Sequence, residues 1–166
     1  MSSDTFFEQH DLVCFLDGMH RSEYLFRDFM NTERLCHRRS IIFMHDCLLV
    51  NARMALRTHE LGQASEGHRQ HAWTGDVWKI VPLLRKHRPD LKMFALDRAA
   101  AGLVAIANLD PTCTALADGY SRLMDELREL DLETYSIRRL WNNLPVISSR
   151  SLVAHPKNLI LFLNIQ

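Results

Sequence analysis

The chain has 166 residues, 47% of them apolar, which suits one packed domain and excludes a disordered polar chain. Lysine plus arginine equals aspartate plus glutamate at 20 each, so the positive footprint of a general nucleic-acid binder is missing and no nucleic-acid partner is expected. The first ten residues carry acids and no apolar stretch, and the late apolar run 159–163 is far below the roughly 20 residues of a membrane span. With four cysteines and no C-x-x-C pair, these features predict reduced thiols, a cytoplasmic location and no membrane partner.

Residues 11–16, DLVCFL, form a short apolar run without alternation. That predicts a strand buried on both faces in a parallel sheet covered by helices. Asp17-Gly18 ends it with a turn signal, and Ser22 offers an N-cap with Glu23 in the first turn. Leu25, Phe26, Phe29 and Met30 then recur at helical spacing, predicting a helix over 22–36. Residues 41–44, IIFM, read as a second buried strand ending at His45-Asp46. Strand, helix and strand make a βαβ unit.

Residues 48–61 are rich in Ala, Leu, Met and Arg and predict a helix, followed by a polar loop over 62–71. Thr74-Gly75-Asp76 can cap the next helix, which runs to about His87, with Pro82 bending it or marking a new start. The basic runs at 37–39 and 85–88 read as solvated helix ends. Residues 91–96 and 103–106 predict two strands, and the short gap between them makes an antiparallel hairpin. Helices are expected from Thr112 or Thr114 to about Leu130 and over 133–144. The division that follows is an α/β three-layer sheet domain over 1–110 with a helical extension over 111–166 packed on it.

The positions of the acids carry the chemistry. Asp17 and Asp46 each follow a strand, with His20 and His45 beside them. Ligands of an open parallel sheet bind outside the carboxyl ends of the strands, so two adjacent strands would gather these four side chains around one crevice. Two nearby carboxylates repel, which favours a divalent cation between Asp17 and Asp46. Histidine, with an ordinary pKa of about 6.5, could take a proton from a hydroxyl at neutral pH. The plainer alternative is that both acids cap the helices that follow. The remaining histidines share no ligand spacing.

The ordered set Phe15-Leu16-Asp17-Gly18-Met19-His20, then Arg27-Asp28-Phe29, then Ile41-Ile42-Phe43-Met44-His45-Asp46 resembles a group of class I S-adenosylmethionine-dependent methyltransferases, the methyltransferase domain 24-like group. The resemblance covers about residues 3–109. It implies a Rossmann-like sheet in which these strands are the fourth and fifth, followed by an antiparallel sixth and seventh, in the order 4-5-7-6. It also implies methyl transfer from S-adenosylmethionine, often to oxygen, sometimes with magnesium. By that resemblance Asp17 and Asp46 hold a metal or shape the acceptor pocket, and His20 is the candidate catalytic base. Asp28 is expected to pair with an arginine or face solvent.

The family's first three strands, with the glycine-rich turn and the acid that binds the cofactor's ribose, would precede Met1. The chain has six glycines and no G-x-G, so weak or no binding of S-adenosylmethionine is expected. Three readings follow: a methyltransferase-like protein acting on a small or sugar-like hydroxyl acceptor, a non-catalytic remnant or oligomeric interaction module, and a metal-dependent hydrolase built on Asp17 and Asp46. Without a first strand beside it, the strand at 11–16 becomes an edge. An apolar patch around Leu12, Phe15 and Phe29 would then be exposed, which predicts a homo-oligomer joined there.

Overall fold

The computed structural model of the chain describes residues 11–58, 73–97, 101–155 and 157. β1 (Val13–Leu16) and β2 (Ile41–His45) lie parallel, with Val13 opposite Ile41 and Leu16 opposite Met44. Parallel neighbours need a crossover, and α1 (Ser22–Glu33) supplies it. Its Leu25, Phe26 and Phe29 form one apolar stripe that is buried in the core. β3 (Lys92–Leu96) and β4 (Leu103–Ala107) make the expected antiparallel hairpin, and β4 pairs antiparallel with β2. A short fifth strand, β5 (Val146–Ile147), joins β3 in parallel, so the sheet order is β1-β2-β4-β3-β5.

Alternation along the strands divides the apolar residues between two faces. Ile42, Met44, Met93, Ala95, Val104 and Ile106 belong to the larger core, together with α1 and α2 (Ile80–His87). Ile41, Phe94, Leu96, Ala105 and Ala107 form a smaller cluster on the other face. Among the described residues, Leu152 of α7 (Ser149–Ala154) packs against that second cluster. The architecture is α/β with a mixed five-stranded sheet, as the strand and helix alternation predicts. No described helix is long and apolar enough to cross a membrane.

Several local expectations are corrected. β1 is not buried on both faces: Val13 is 73% and Phe15 58% exposed, because both side chains alternate to the face opposite the larger core, which takes Cys14 and Leu16 instead. Phe29 is fully buried in the α1 stripe and is not part of any exposed patch. No helix starts at Leu48, whose backbone N–H donates instead to the carbonyl of Ala101 beside the hairpin. A single 3-10 turn, Ala52–Ala55, follows, capped by the Asn51 side chain.

The helix expected from Thr74 begins later. A 3-10 turn at Val77–Lys79 leads into α2, and Pro82 sits in its first turn, where a missing N–H costs least. Each of the two later helices divides. Gly119 separates α3 (Ala115–Asp118) from α4 (Tyr120–Glu129), and Ser136, at φ 68°, separates α5 (Leu132–Tyr135) from α6 (Ile137–Asn142). The region beyond 110 therefore contributes a strand as well as helices.

Arg88 is also misplaced by a reading from charge alone. Arg85 and Lys86 are exposed, but Arg88 is buried. Its Nη1 donates to Glu33 Oε2 at 2.7 Å, while its Nε and Nη2 donate to Asp90. Glu33 also accepts from the backbone N–H of Asp110, so this buried group ties α1, the end of α2 and the exit of β4 together.

Candidate functional site

The carboxyl ends of β1 and β2 lie side by side, so whatever follows each strand meets the other. Asp17 leaves β1 and Asp46 leaves β2. His20 Nε2 stands 3.5 Å from Asp17 Oδ1 and 3.2 Å from Asp46 Oδ2. His45 Nδ1 stands 3.5 Å from Asp17 Oδ1 and 3.3 Å from Asp46 Oδ1. The four residues singled out in the sequence are thus one cluster. One ligand atom each from Asp17, His20 and Asp46 lies within 4.8 Å of the others. Asp28 is exposed, near the turn at Gly18.

Two of these residues hold a left-handed backbone, His20 at φ 53° and Asp46 at φ 58°. Such conformations are uncommon outside glycine and persist where the surroundings impose them. At His20 the imposing contacts come from the segment 73–76. The Trp73 carbonyl lies 3.0 Å from His20 Nδ1 and can only accept, so Nδ1 carries the proton. The ring of Trp73 also lies 5.0 Å from that of His20. In the neutral ring this leaves the Nε2 lone pair facing the two carboxylates.

Gly75 lets this segment approach. It sits at φ 60°, and a Cβ built there would lie 1.7 Å from the His20 carbonyl oxygen. Asp76 then turns back: its Oδ1 accepts from the Ser22 backbone N–H at 2.8 Å. The cap of α1 therefore comes from 54 residues downstream, and the Ser22 side chain does not cap its own helix. Arg57 holds Asp76 and Glu23 together.

Burial pushes the Asp46 carboxyl above the ordinary carboxylate range; His45 and His20 pull it down, and Asp17 adds to the upward push. His45 Nδ1 is buried and makes no well-formed hydrogen bond, although both carboxylates are close to it. The cluster therefore has unspent polar capacity: two acids, the His20 Nε2 that faces them and the His45 Nδ1 without a well-formed hydrogen bond. Two carboxylates and an imidazole are a donor set that suits a divalent cation, manganese somewhat more than magnesium because of the nitrogen.

Among the described residues, the glycines do not form a nucleotide cradle. Gly75 packs on the His20 backbone, Gly102 on Leu48, and Gly119 lies between two helices. Among the described residues no glycine-rich turn is present that would receive the methionine part of S-adenosylmethionine. Trp73, Gly75 and Asp76 are the site residues that the sequence reading missed. Thr74-Gly75-Asp76 was legible as a cap, but nothing in a linear pattern tells which helix it caps.

All four cysteines are free thiols. Cys14 Sγ and Cys36 Sγ are 4.0 Å apart, and burial pushes the Cys36 thiol up to about 12.

No protein-family model, no curated protein and no solved structure matches the chain.

Proposed function

We propose that Asp17, His20 and Asp46 form a proton-transfer and divalent-cation site for a small hydroxyl-bearing acceptor, carried on a methyltransferase-like sheet. The observation that carries this reading is the contact of His20 Nδ1 with the Trp73 carbonyl, 3.0 Å away. With Nδ1–H committed to the Trp73 carbonyl, Nε2 is the atom available to accept a hydroxyl proton, and Asp17 and Asp46 stabilise the imidazolium that results.

A cation held by Asp17 and Asp46 would relieve the repulsion between them and polarise a bound hydroxyl oxygen. The same Nε2 lone pair can either ligate that cation or receive a proton, so His20 serves one role at a time. Methyl transfer as the reaction class rests on the sequence resemblance. The order β1-β2-β4-β3, with one parallel pair followed by an antiparallel hairpin, is compatible with the family's fourth, fifth, seventh and sixth strands. Among the described residues there is no glycine-rich turn of the kind that would receive S-adenosylmethionine.

Thermal unfolding with and without millimolar magnesium or manganese tests the site. A ligand that binds only the folded state at one hundred times its dissociation constant stabilises by about 2.7 kcal/mol. The expected result is a raised melting temperature that Asp46→Asn abolishes. An unchanged curve with both cations would return the two acids to structural roles.

A second reading is favoured by β1 itself. Val13, Phe15 and the nearby Met19 are exposed at the sheet edge. Apolar residues on an unblunted edge favour pairing with another chain, so the chain is proposed to self-associate there whether or not the site is catalytic.

A further inference from the structure

We infer that the cleft between α2, α4 and the α5–α6 corner is an anion site that takes a phosphate group, separate from the Asp17–His20–Asp46 cluster. The cleft has a volume of about 520 Å³, room for a small metabolite rather than a bare ion. Arg85 and Lys86 reach it from α2, and Arg139 from α6. Against these three cations the lining offers one acid, Glu126.

That acid is already engaged. Lys86 Nζ donates to Glu126 Oε1 at 2.8 Å, and His87 Nε2 lies 2.8 Å from Oε2. Burial alone would raise Glu126, but the hydrogen bonds from Lys86 and His87 hold it below the usual carboxylate range. Arg85 and Arg139 have no carboxylate partner among the described residues. The cleft is left with two unneutralised guanidinium groups, whose planar forks match phosphate oxygens.

The Arg139 guanidinium carbon lies 4.6 Å from the centroid of the Tyr135 ring, a contact that holds it at the cleft before anything binds. Asn143 lines the same cleft, with its side-chain amide within hydrogen-bonding reach of the Tyr135 hydroxyl. The element that presents Arg139 and leads to Asn143 is itself fixed. Leu140 is fully buried, and Trp141 Nε1 donates to the Leu49 carbonyl at 2.9 Å.

The phosphate could be free or carried on a small organic ester. Isothermal titration at constant ionic strength with inorganic phosphate and with glycerol 3-phosphate separates the two, with chloride as the blank. Binding of both, tighter for the ester, is expected, with at least a tenfold loss in Arg85→Gln and in Arg139→Gln. Both arginines are exposed, so the variants should keep the parent melting temperature. Arg38→Gln, an exposed position hydrogen-bonded to Asn108, should bind like the parent. Binding of inorganic phosphate alone, lost in the same two variants, would assign the site to the free ion. Heats no greater than those of chloride, or equal binding in the parent and both arginine variants, would overturn the inference. Cation binding at Asp17 and Asp46 is measured separately and does not depend on either outcome.

Discussion

The α-carbon of Gly75 faces the carbonyl oxygen of His20 so closely that a Cβ on it would lie 1.7 Å from that oxygen. Glycine is needed there twice over, for the contact and for φ 60°. Gly75→Ala should therefore cost more than the about 1 kcal/mol of an ordinary glycine effect and should push the 73–76 segment off His20. Urea unfolding reads the first effect. The second appears as a loss of the cation-induced rise in melting temperature, even under conditions where the variant stays folded.

Asp46 should trade stability for its place in the cluster. Its carboxyl is raised by burial, so the protonated form is the one the fold favours. That contribution is fully present below the unfolded carboxyl range, near pH 3.9, and is lost as pH rises through the raised folded value. Asp46→Asn mimics the protonated form and tolerates the left-handed backbone, so in chelator at neutral pH it should be more stable than the parent. The gap should narrow as pH falls towards the unfolded value. A constant gap from neutral to acid pH would show that ionisation of Asp46 is not its source.

The buried pair of Glu33 and Arg88 should be the most sensitive polar contact away from the cluster. Their side chains are 5% and 2% exposed. Removing the Glu33 carboxylate leaves Arg88 Nη1 and the Asp110 N–H without their acceptor, while Asp90 still faces the guanidinium, at a cost of about 1–3 kcal/mol. Glu33→Ala should lose stability of that order in denaturant unfolding, whereas Asp125→Ala, whose partner Arg128 is exposed, should lose less than about 1 kcal/mol.

Self-association through β1 is tested by light scattering at micromolar concentration. The parent chain should run as a dimer or larger, and Val13→Lys or Phe15→Lys should give monomers with little change in melting temperature, because both side chains are mostly exposed. A monomeric parent chain would remove this reading.

Much of the sheet was legible because its signals are local. The apolar runs of β1 and β2, the helical spacing of Leu25, Phe26 and Phe29, and the short gap before β4 each depend on neighbours in sequence. Asp17, His20, His45 and Asp46 could be grouped because Asp17 and Asp46 directly follow strands with the two histidines close by in sequence, and parallel strands bring such ends together. What was not legible depends on distant partners. Asp76 caps α1 across 54 residues, Leu48 gives its N–H to the hairpin, and Arg88 is buried because Glu33 comes to meet it. The exposure of Val13 and Phe15 depends on which face of β1 the rest of the fold covers, and composition does not report that.

The central claim, that Asp17, His20 and Asp46 share one divalent cation, is tested most directly by titrating manganese while observing the imidazole proton resonances. The paramagnetic ion broadens signals of nearby nuclei. The account predicts that the His20 and His45 ring signals broaden first, at manganese below the protein concentration, while those of His87 and His155 stay sharp, and that Asp17→Asn with Asp46→Asn removes the effect. Uniform broadening of all histidines, or none until manganese is in large excess, would contradict it.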